Sequence, residues 1–106
     1  MPKISTETGV YRIMCTVTRV VYIGKASNIR TRVSGHLSLL RKGTHPNLKL
    51  QEDWNLHGES SFVIKVLKVV AWKNLDRIEK QVIQTYVDQG IPVYNGQDIY
   101  PLLGGI

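Results

Sequence analysis

The sequence predicts a small α+β domain: a mainly antiparallel sheet of three strands flanked by helices, in the order ββααβα with a coil tail. Two observations support this prediction. Three short segments rich in β-branched and aromatic residues indicate strands. Three other segments carry apolar residues at helical spacing between residues that start and stop helices. With 106 residues, 42% of them hydrophobic, the chain suffices for one packed domain, so residues 1–106 are assigned to a single domain.

The first two strands are predicted at residues 10–15 and 18–23. Their connection lacks glycine, which argues against a tight primed turn and favours a four-residue loop at residues 15–18. Such a loop places Tyr11 directly opposite Tyr22. Because opposed residues of an antiparallel pair point to the same face, the two tyrosines are expected side by side.

The first helix follows these strands. Ser27 or Asn28 can cap it, it runs to about Arg41, and Gly43 ends it. Its expected buried stripe consists of Ile29, Val33, Leu37 and Leu40. This periodicity is that of a helix lying on the sheet.

A second, shorter helix is predicted at residues 47–56, with Leu50 and Trp54 as its apolar pair and Gly58 at its end. The β-branched run at residues 62–70 is the third predicted strand.

The last predicted helix is capped by Asn74 and runs to about Gln89, where Gly90 and Pro92 end it. Its expected buried residues are Leu75, Ile78, Val82, Ile83 and Tyr86. The remaining residues, 93–106, are rich in Gly, Pro and Tyr and are expected to form coil.

Charge is distributed unevenly along the chain, whose net charge is +6. Residues 1–50 contain nine Lys or Arg and one acid, whereas residues 51–106 contain five Lys or Arg and seven acids. Such a one-signed surface attracts polyanions, of which nucleic acid is the commonest. The alternative is a basic surface that serves solubility. An anionic membrane is less favoured, because the basic residues do not fall on one strongly amphipathic helix.

Other features limit the classes of function. No apolar run approaches the ~20 residues of a membrane-spanning helix, and residues 1–7 lack the apolar core of a signal peptide. We therefore expect a soluble, intracellular protein, cytoplasmic or nucleoid-associated. Cys15 is the one cysteine, so it forms no internal disulfide and no metal-binding cysteine set exists.

Taken singly, the polar residues that could carry chemistry have ordinary structural explanations. Tyr11 and Tyr22 can simply pack on the sheet. Arg32 and His36 are four residues apart and share one helical face. Glu79 lies at the edge of an apolar stripe, where a carboxylate needs a partner such as a salt bridge to Arg32, hydrogen bonds or a metal.

Taken together, their order and spacing resemble the GIY-YIG nuclease superfamily. The residues that carry the resemblance are Gly9-Val10-Tyr11, Tyr22-Ile23-Gly24-Lys25-Ala26, Arg32, His36, Glu79 and Tyr94-Asn95. The resemblance extends from Thr8 to Asn95. With His36, His45 and residues 47–58, the chain is most similar to the nuclease domain of phage homing endonucleases, which suggests a phage or bacterial origin. Valine replaces isoleucine in the first tripeptide, and Lys25 is typical of the repair branch of the superfamily.

The resemblance implies hydrolysis of a DNA phosphodiester with one divalent metal, Mg²⁺ or Mn²⁺. It implies that Glu79 binds the metal, that Arg32 holds the scissile phosphate and that Tyr11 is the leading candidate for activating the water. Tyr22 and His36 complete the implied catalytic set. The implied supporting residues are Gly24, Lys25, His45 and Asn95.

The chemistry of these residue types agrees with those roles. Mg²⁺ often uses one or two protein carboxylates plus substrate phosphate, so Glu79 alone suffices once DNA is bound. The planar fork of Arg32 can donate two parallel hydrogen bonds to a phosphate. Lowering a tyrosine pKa from ~10 to ~7 requires roughly 4 kcal/mol, and an exposed Lys25 supplies ~1 kcal/mol at most. A tyrosine base therefore needs the positive cluster, the metal and bound DNA together, or else it only relays a proton from a metal-polarised water.

Binding to DNA is expected to use six basic residues: Lys25, Arg30, Arg32, Arg41, Lys42 and Lys49. No separate DNA-recognition domain is visible, so the chain is either a catalytic fragment or a stand-alone, structure-selective repair-type nuclease, with a monomer favoured. The runner-up function is a non-catalytic DNA-binding module that keeps the same scaffold.

Overall fold

A computed structural model describes residues 5–95 of the chain. Its three strands are β1 (Gly9–Cys15), β2 (Val21–Ala26) and β3 (Phe62–Val69), and its three α-helices are α1 (Ile29–Lys42), α2 (Leu48–His57) and α3 (Leu75–Asp88). Short 3-10 turns, Glu59–Ser61 and Trp72–Asn74, precede β3 and α3. The predicted α+β class and the order ββααβα are confirmed. The predicted coil beyond Asn95 lies outside the described residues.

The helices begin and end at the residues that the sequence indicates. Asn28 and Asn47 each accept a hydrogen bond from the backbone amide three residues further on, which caps α1 and α2. Gly43 ends α1 in the left-handed conformation with φ 78°. Asn74 precedes α3 without a capping side-chain bond, because a 3-10 turn already leads into that helix. Within residues 5–95, no helix is both long and apolar enough to span a membrane.

The pairing of β1 with β2 differs from the predicted register. Tyr11 lies opposite Gly24, and Tyr22 lies opposite Ile13, so the tyrosines are diagonal rather than directly opposed. The cause is the connection: Arg19 adopts the left-handed conformation at φ 67°, and β2 begins at residue 21 rather than 18. A shift by two residues keeps every side chain on its original face. The expectation that both tyrosines share one face is therefore confirmed.

The sheet separates two layers of helix. On one face, Tyr11 and Ile13 pack with the apolar stripe of α1 and with Leu50 and Trp54 of α2. On the other face, a second cluster forms around Val10, Val21, Ile23 and Val82, with further residues of α3 packed against it. The sheet order is β2-β1-β3, so β2 is an edge strand that borders both layers.

The outer edge of β2 is covered by the segment that follows α3. Val21 donates a backbone hydrogen bond to Pro92 (3.0 Å) and accepts one from Tyr94 (2.8 Å). The side chain of Asn95 then replaces a strand backbone, because its Oδ1 accepts from the amide of Ile23 (2.8 Å) and its Nδ2 donates to the same residue's carbonyl (2.5 Å). The outward backbone groups of Val21 and Ile23 are thereby satisfied.

Two glycines allow close approaches within the sheet. A Cβ on Gly9 would lie 2.1 Å from the carbonyl oxygen of Lys68, at the point where the pairing of β1 with β3 shifts register. A Cβ on Gly24 would lie 2.3 Å from both Cζ and Oη of Tyr11. The lack of a side chain at Gly24, in the second tripeptide, therefore makes room for the ring of Tyr11, in the first.

We expect Gly24→Ala to lower the free energy of unfolding by about 1–3 kcal/mol, because the added methyl collides with a fully buried ring. Urea denaturation measures this change. Gly35→Ala is the matched control, because a Cβ on Gly35 meets no atom within 4 Å, and it should stabilise α1 by ~0.5–1 kcal/mol. Equal stability of the Gly24→Ala variant and the parent would contradict the close packing of the Tyr11 ring on Gly24.

Candidate active site

A groove of about 640 Å³ lies between α1 and the segment that enters α2. Five residues singled out from the sequence line it: Tyr22, Arg32, His36, His45 and Asn95. They come from β2, from two turns of α1, from the loop before α2 and from the segment after α3. Folding thus brings together residues that are up to 73 positions apart in the sequence.

The two tyrosines occupy different depths of the site. Tyr22 is half-buried and lines the groove, whereas Tyr11 is fully buried at 0% exposure. Both rings contact the imidazole of His36, with centroid distances of 5.9 Å for Tyr11 and 5.1 Å for Tyr22. His36 is therefore the side chain that connects the buried tyrosine to the open groove.

A chain of hydrogen bonds runs from α2 to Tyr11, and its direction follows from its first donor. The backbone amide of Asn47 can only donate, so Nδ1 of His45, 3.0 Å away, accepts and carries no proton. In neutral His45 the proton is then on Nε2, which donates to Nδ1 of His36 at 2.7 Å. Neutral His36 in turn carries its proton on Nε2 and donates it to the hydroxyl oxygen of Tyr11 at 2.7 Å.

Burial keeps both imidazoles neutral. Desolvation, with smaller contributions from the charges of His45 and Arg32, lowers the pKa of His36 to about 4. The pKa of His45 is also lowered, mainly by burial. A protonated His36 would direct its Nδ1–H at the Nε2–H of His45, which the chain of hydrogen bonds forbids. At neutral pH the tyrosine oxygen therefore receives a fixed imidazole N–H.

The pKa values of both tyrosines lie above their ordinary value in the free protein. Burial is the main cause for Tyr11, the neighbouring Tyr22 adds to it, and the charge and hydrogen bonding of Arg32 oppose it. Burial also raises the pKa of Tyr22, again against Arg32. Both phenols are therefore protonated at neutral pH in the absence of substrate. This agrees with the expectation that a tyrosine base needs the added positive charge of a metal when DNA is bound.

Glu79 approaches the same tyrosines from the opposite layer. It lies on α3 with its side chain 18% exposed, and its Oε1 is 3.9 Å from Nζ of Lys25. Lys25 also bonds Asp76, one turn earlier on α3, and Asp76 contacts Lys80 at 3.2 Å. Because β2 is an edge strand, the charge of Glu79 also acts on Tyr11 and Tyr22, which lie on the opposite face of the sheet.

Glu79 is the described carboxylate that best fits a metal. Burial raises the pKa of Glu79, whereas the neighbouring cations Lys25, Lys80 and Arg32 lower it. Within residues 5–95, no group of three or more His, Cys, Asp or Glu could hold an ion. A single glutamate is compatible with Mg²⁺, which completes its coordination with waters and substrate phosphate, and does not suit a zinc site.

The six residues expected to bind DNA differ in their surroundings. Arg32 is exposed and lines the groove, and Arg30 and Lys42 are exposed near the two ends of α1. Arg41 forms a two-pronged ion pair with Glu59 (2.6 and 2.9 Å), and Lys49 lies 3.6 Å from Asp53. Of the six, Arg32 and Lys25 are the two that the fold brings to the tyrosine and glutamate side chains.

The residues that hold His45 in place were not predicted from the sequence. Gln51, buried on α2, accepts a hydrogen bond from the backbone amide of His45 at 2.9 Å and donates to the carbonyl of Leu40 at 3.1 Å. Asn47 caps α2 and also donates to the carbonyl of Tyr94 at 3.0 Å. A buried glutamine beside Leu50 leaves little trace in the apolar periodicity, so the sequence pattern did not reveal the role of Gln51.

We expect the neutral, buried His36 to make the protein less stable as pH falls. Its folded pKa of about 4 lies below the unfolded value of 6.5, so the unfolded chain binds more protons between these values. The contribution is fully present above pH 6.5 and is lost on descent toward pH 4. Thermal unfolding measured from pH 7 to pH 4.5 should therefore show a shallower fall in Tm for His36→Gln than for the parent.

His57→Gln is the control for this experiment, because His57 lies outside the hydrogen-bonded chain. It should keep the pH dependence of the parent. Parallel curves for His36→Gln and the parent would contradict the neutral state of His36.

Comparison with known proteins agrees with this fold. The GIY-YIG catalytic domain family matches residues 7–91. Intron-associated endonuclease 1 of Enterobacteria phage T4 is 32% identical over 75 residues, which are 71% of this chain and 30% of that protein. The chain thus spans about 30% of the length of that relative.

Solved structures give the same result. The catalytic domain of homing endonuclease I-TevI is 26% identical and superimposes with a TM-score of 0.73, over 81% of this chain and 95% of that one. A mutant of that catalytic domain gives a TM-score of 0.72 over the same share of this chain. Because the family match covers most of its length, the protein belongs to the GIY-YIG family and carries the catalytic domain of that family.

Proposed function

We propose that this domain is a DNA endonuclease that hydrolyses one phosphodiester bond at a time with a single divalent metal, Mg²⁺ or Mn²⁺. The observation that carries the proposal is the meeting of two layers at the edge of β2. Arg32 and Tyr22 line the groove from one layer, and Glu79 lies close enough in the other for its charge to raise the pKa of both tyrosines. A passive DNA-binding surface has no need for a half-buried carboxylate beside a phosphate site.

The basic residues position the substrate in this proposal. Arg32 donates two hydrogen bonds to the scissile phosphate, which places that phosphate between the groove and Glu79. Lys25 leaves its contacts with Asp76 and Glu79 in part when the negative phosphate and a cation arrive. Glu79 is the residue that would hold the ion, and a bound divalent ion would supply charge neutralisation at the phosphate and at the leaving oxygen.

Tyr11 is the proposed acceptor of the proton from the attacking water, with Tyr22 beside it. The N–H of His36 and the guanidinium of Arg32 both act on the Tyr11 oxygen, and both favour a phenolate there. Burial opposes this charge in the free protein. Tyr11 therefore releases its own proton to solvent only after substrate and cation have entered, and the phenolate then accepts the proton of the attacking water, which restricts the chemistry to the complex with DNA.

We expect Glu79→Gln to abolish metal-dependent nicking of plasmid DNA, because the amide keeps the shape but removes the charge that would hold the ion. The expected loss in kcat is ~10³-fold or more, typical for loss of a charged group that stabilises a transition state. Glu52→Gln is the matched control, since Glu52 is an exposed acid on α2. Cleavage by Glu79→Gln at the parent's rate would remove Glu79 from the site.

This experiment also separates the proposal from a non-catalytic module. Salt-sensitive DNA binding by the parent, with no cleavage in Mg²⁺ or Mn²⁺ on linear, nicked or branched DNA, would favour a binding module. Cleavage in either metal, abolished by chelation, supports the endonuclease.

We expect Tyr11→Phe to lower kcat by ~100-fold or more while KM stays near that of the parent, because only the hydroxyl that accepts the proton is removed. Tyr22→Phe should cost less in kcat, since Tyr22 lines the groove without the hydrogen bond to His36. Tyr86→Phe, whose hydroxyl accepts from Arg12 on the α3 face (3.2 Å), is the control. Unchanged turnover in Tyr11→Phe with a large loss in Tyr22→Phe would exchange the two roles.

A further inference from the structure

One glycine of the described chain has no structural reason to be glycine. Gly43, Gly58 and Gly90 have positive φ values, which favour glycine. Gly9 and Gly24 have backbone or ring atoms where a Cβ would be. Gly35 shows neither feature among the glycines of residues 5–95: its φ is not positive, and an added Cβ would meet nothing within 4 Å.

Gly35 also lies where glycine is unfavourable. It is in the middle of α1, a helix of 14 residues, and an interior glycine destabilises a helix relative to alanine. The position lines the groove that holds Arg32 and His36. Because neither the backbone nor the packing of the free protein requires glycine here, the space over Gly35 is the feature that needs a reason.

The neighbours of Gly35 indicate what enters this space. Arg32 and Leu39, three residues before and four after, line the same groove and flank Gly35 on one stripe of the helix. The stripe therefore presents a cation, then bare helix backbone, then a partly exposed apolar side chain. Among the described residues, no Asp or Glu lines this groove. A cation followed by a smooth apolar surface matches a phosphate followed by its sugar.

We propose that Gly35 is a DNA-contact position of the domain. The deoxyribose next to the phosphate held by Arg32 passes over Gly35, in contact with the α1 backbone. This inference rests on the proposed endonuclease function and names the part of the DNA that the groove receives. The missing side chain leaves the strand room to reach Glu79. A side chain at position 35 would hold the sugar away from the helix and move the phosphate out of line.

The test uses graded side chains at this position. Gly35→Ala and Gly35→Leu should both raise Tm, by roughly 2–6 °C, because each is a better helix former in open space. The same variants should raise the KM for plasmid nicking, by a few-fold for alanine and by ~10-fold or more for leucine, equivalent to ~1.4 kcal/mol. The kcat at saturating DNA should change less than KM, because no reacting group is altered.

Ser34→Ala and Ser34→Leu are the matched controls, since Ser34 is exposed on α1 and does not line the groove. They should leave KM within about twofold of the parent. A parent that cleaves DNA, together with a Gly35→Leu variant that is more stable and cleaves with the same KM, overturns the contact and leaves the endonuclease intact. Equal rises in KM for the Gly35 and Ser34 leucine variants also overturn it. A parent that neither binds nor cleaves DNA overturns both proposals.

Discussion

The burial of Tyr11 is the constraint on which the rest of the structure depends. Its ring occupies the space that Gly24 leaves empty, and its hydroxyl is completely removed from solvent. A buried hydroxyl without a partner is costly, so a donor has to reach it. His36 supplies that donor from α1, and His45 orients His36 from the entry of α2. One unsolvated oxygen thus aligns a strand and two helices with each other.

The edge position of β2 explains how a site forms between two layers that a sheet normally separates. Side chains on the α1 face and on the α3 face of an interior strand would be shielded from each other by the neighbouring strand. At an edge strand, side chains of the two faces can act on each other past the backbone. The charge of Glu79, for example, raises the pKa of Tyr22. The same edge would expose unpaired backbone groups, and the carboxamide of Asn95 satisfies those of Ile23. One polar side chain therefore closes the edge beside the groove.

Burial in the free protein opposes charge on the side chains around Tyr11. Burial raises the pKa of Tyr11 and of Glu79 and lowers that of His36, so each of these shifts favours the neutral form. Lys25 meanwhile remains engaged with the acids of α3. A phosphate and a divalent cation change all of these balances at once. The proposed chemistry is therefore coupled to substrate entry by charge.

Local patterns determined a large part of this protein. Helical spacing and caps such as Asn28 and Gly43 located the helices to within about a residue, because these signals act over four or five positions. Five of the motif residues, Tyr22, Arg32, His36, His45 and Asn95, line one groove in the folded chain. The register of the tyrosines was predicted wrongly, because a single left-handed residue, Arg19, shifts it and nothing in the local pattern marks that residue.

The tertiary structure decided what depends on contacts distant in sequence. Such contacts include the direction of the imidazole hydrogen bonds from Asn47, the support of His45 by Gln51, the engagement of Lys25 with α3, and the empty space above Gly35. Burial and hydrogen-bond partners belong to the packed chain and not to any segment of it. The sequence therefore indicated which residues to expect at the candidate site, whereas their protonation and their depth were set only by the fold.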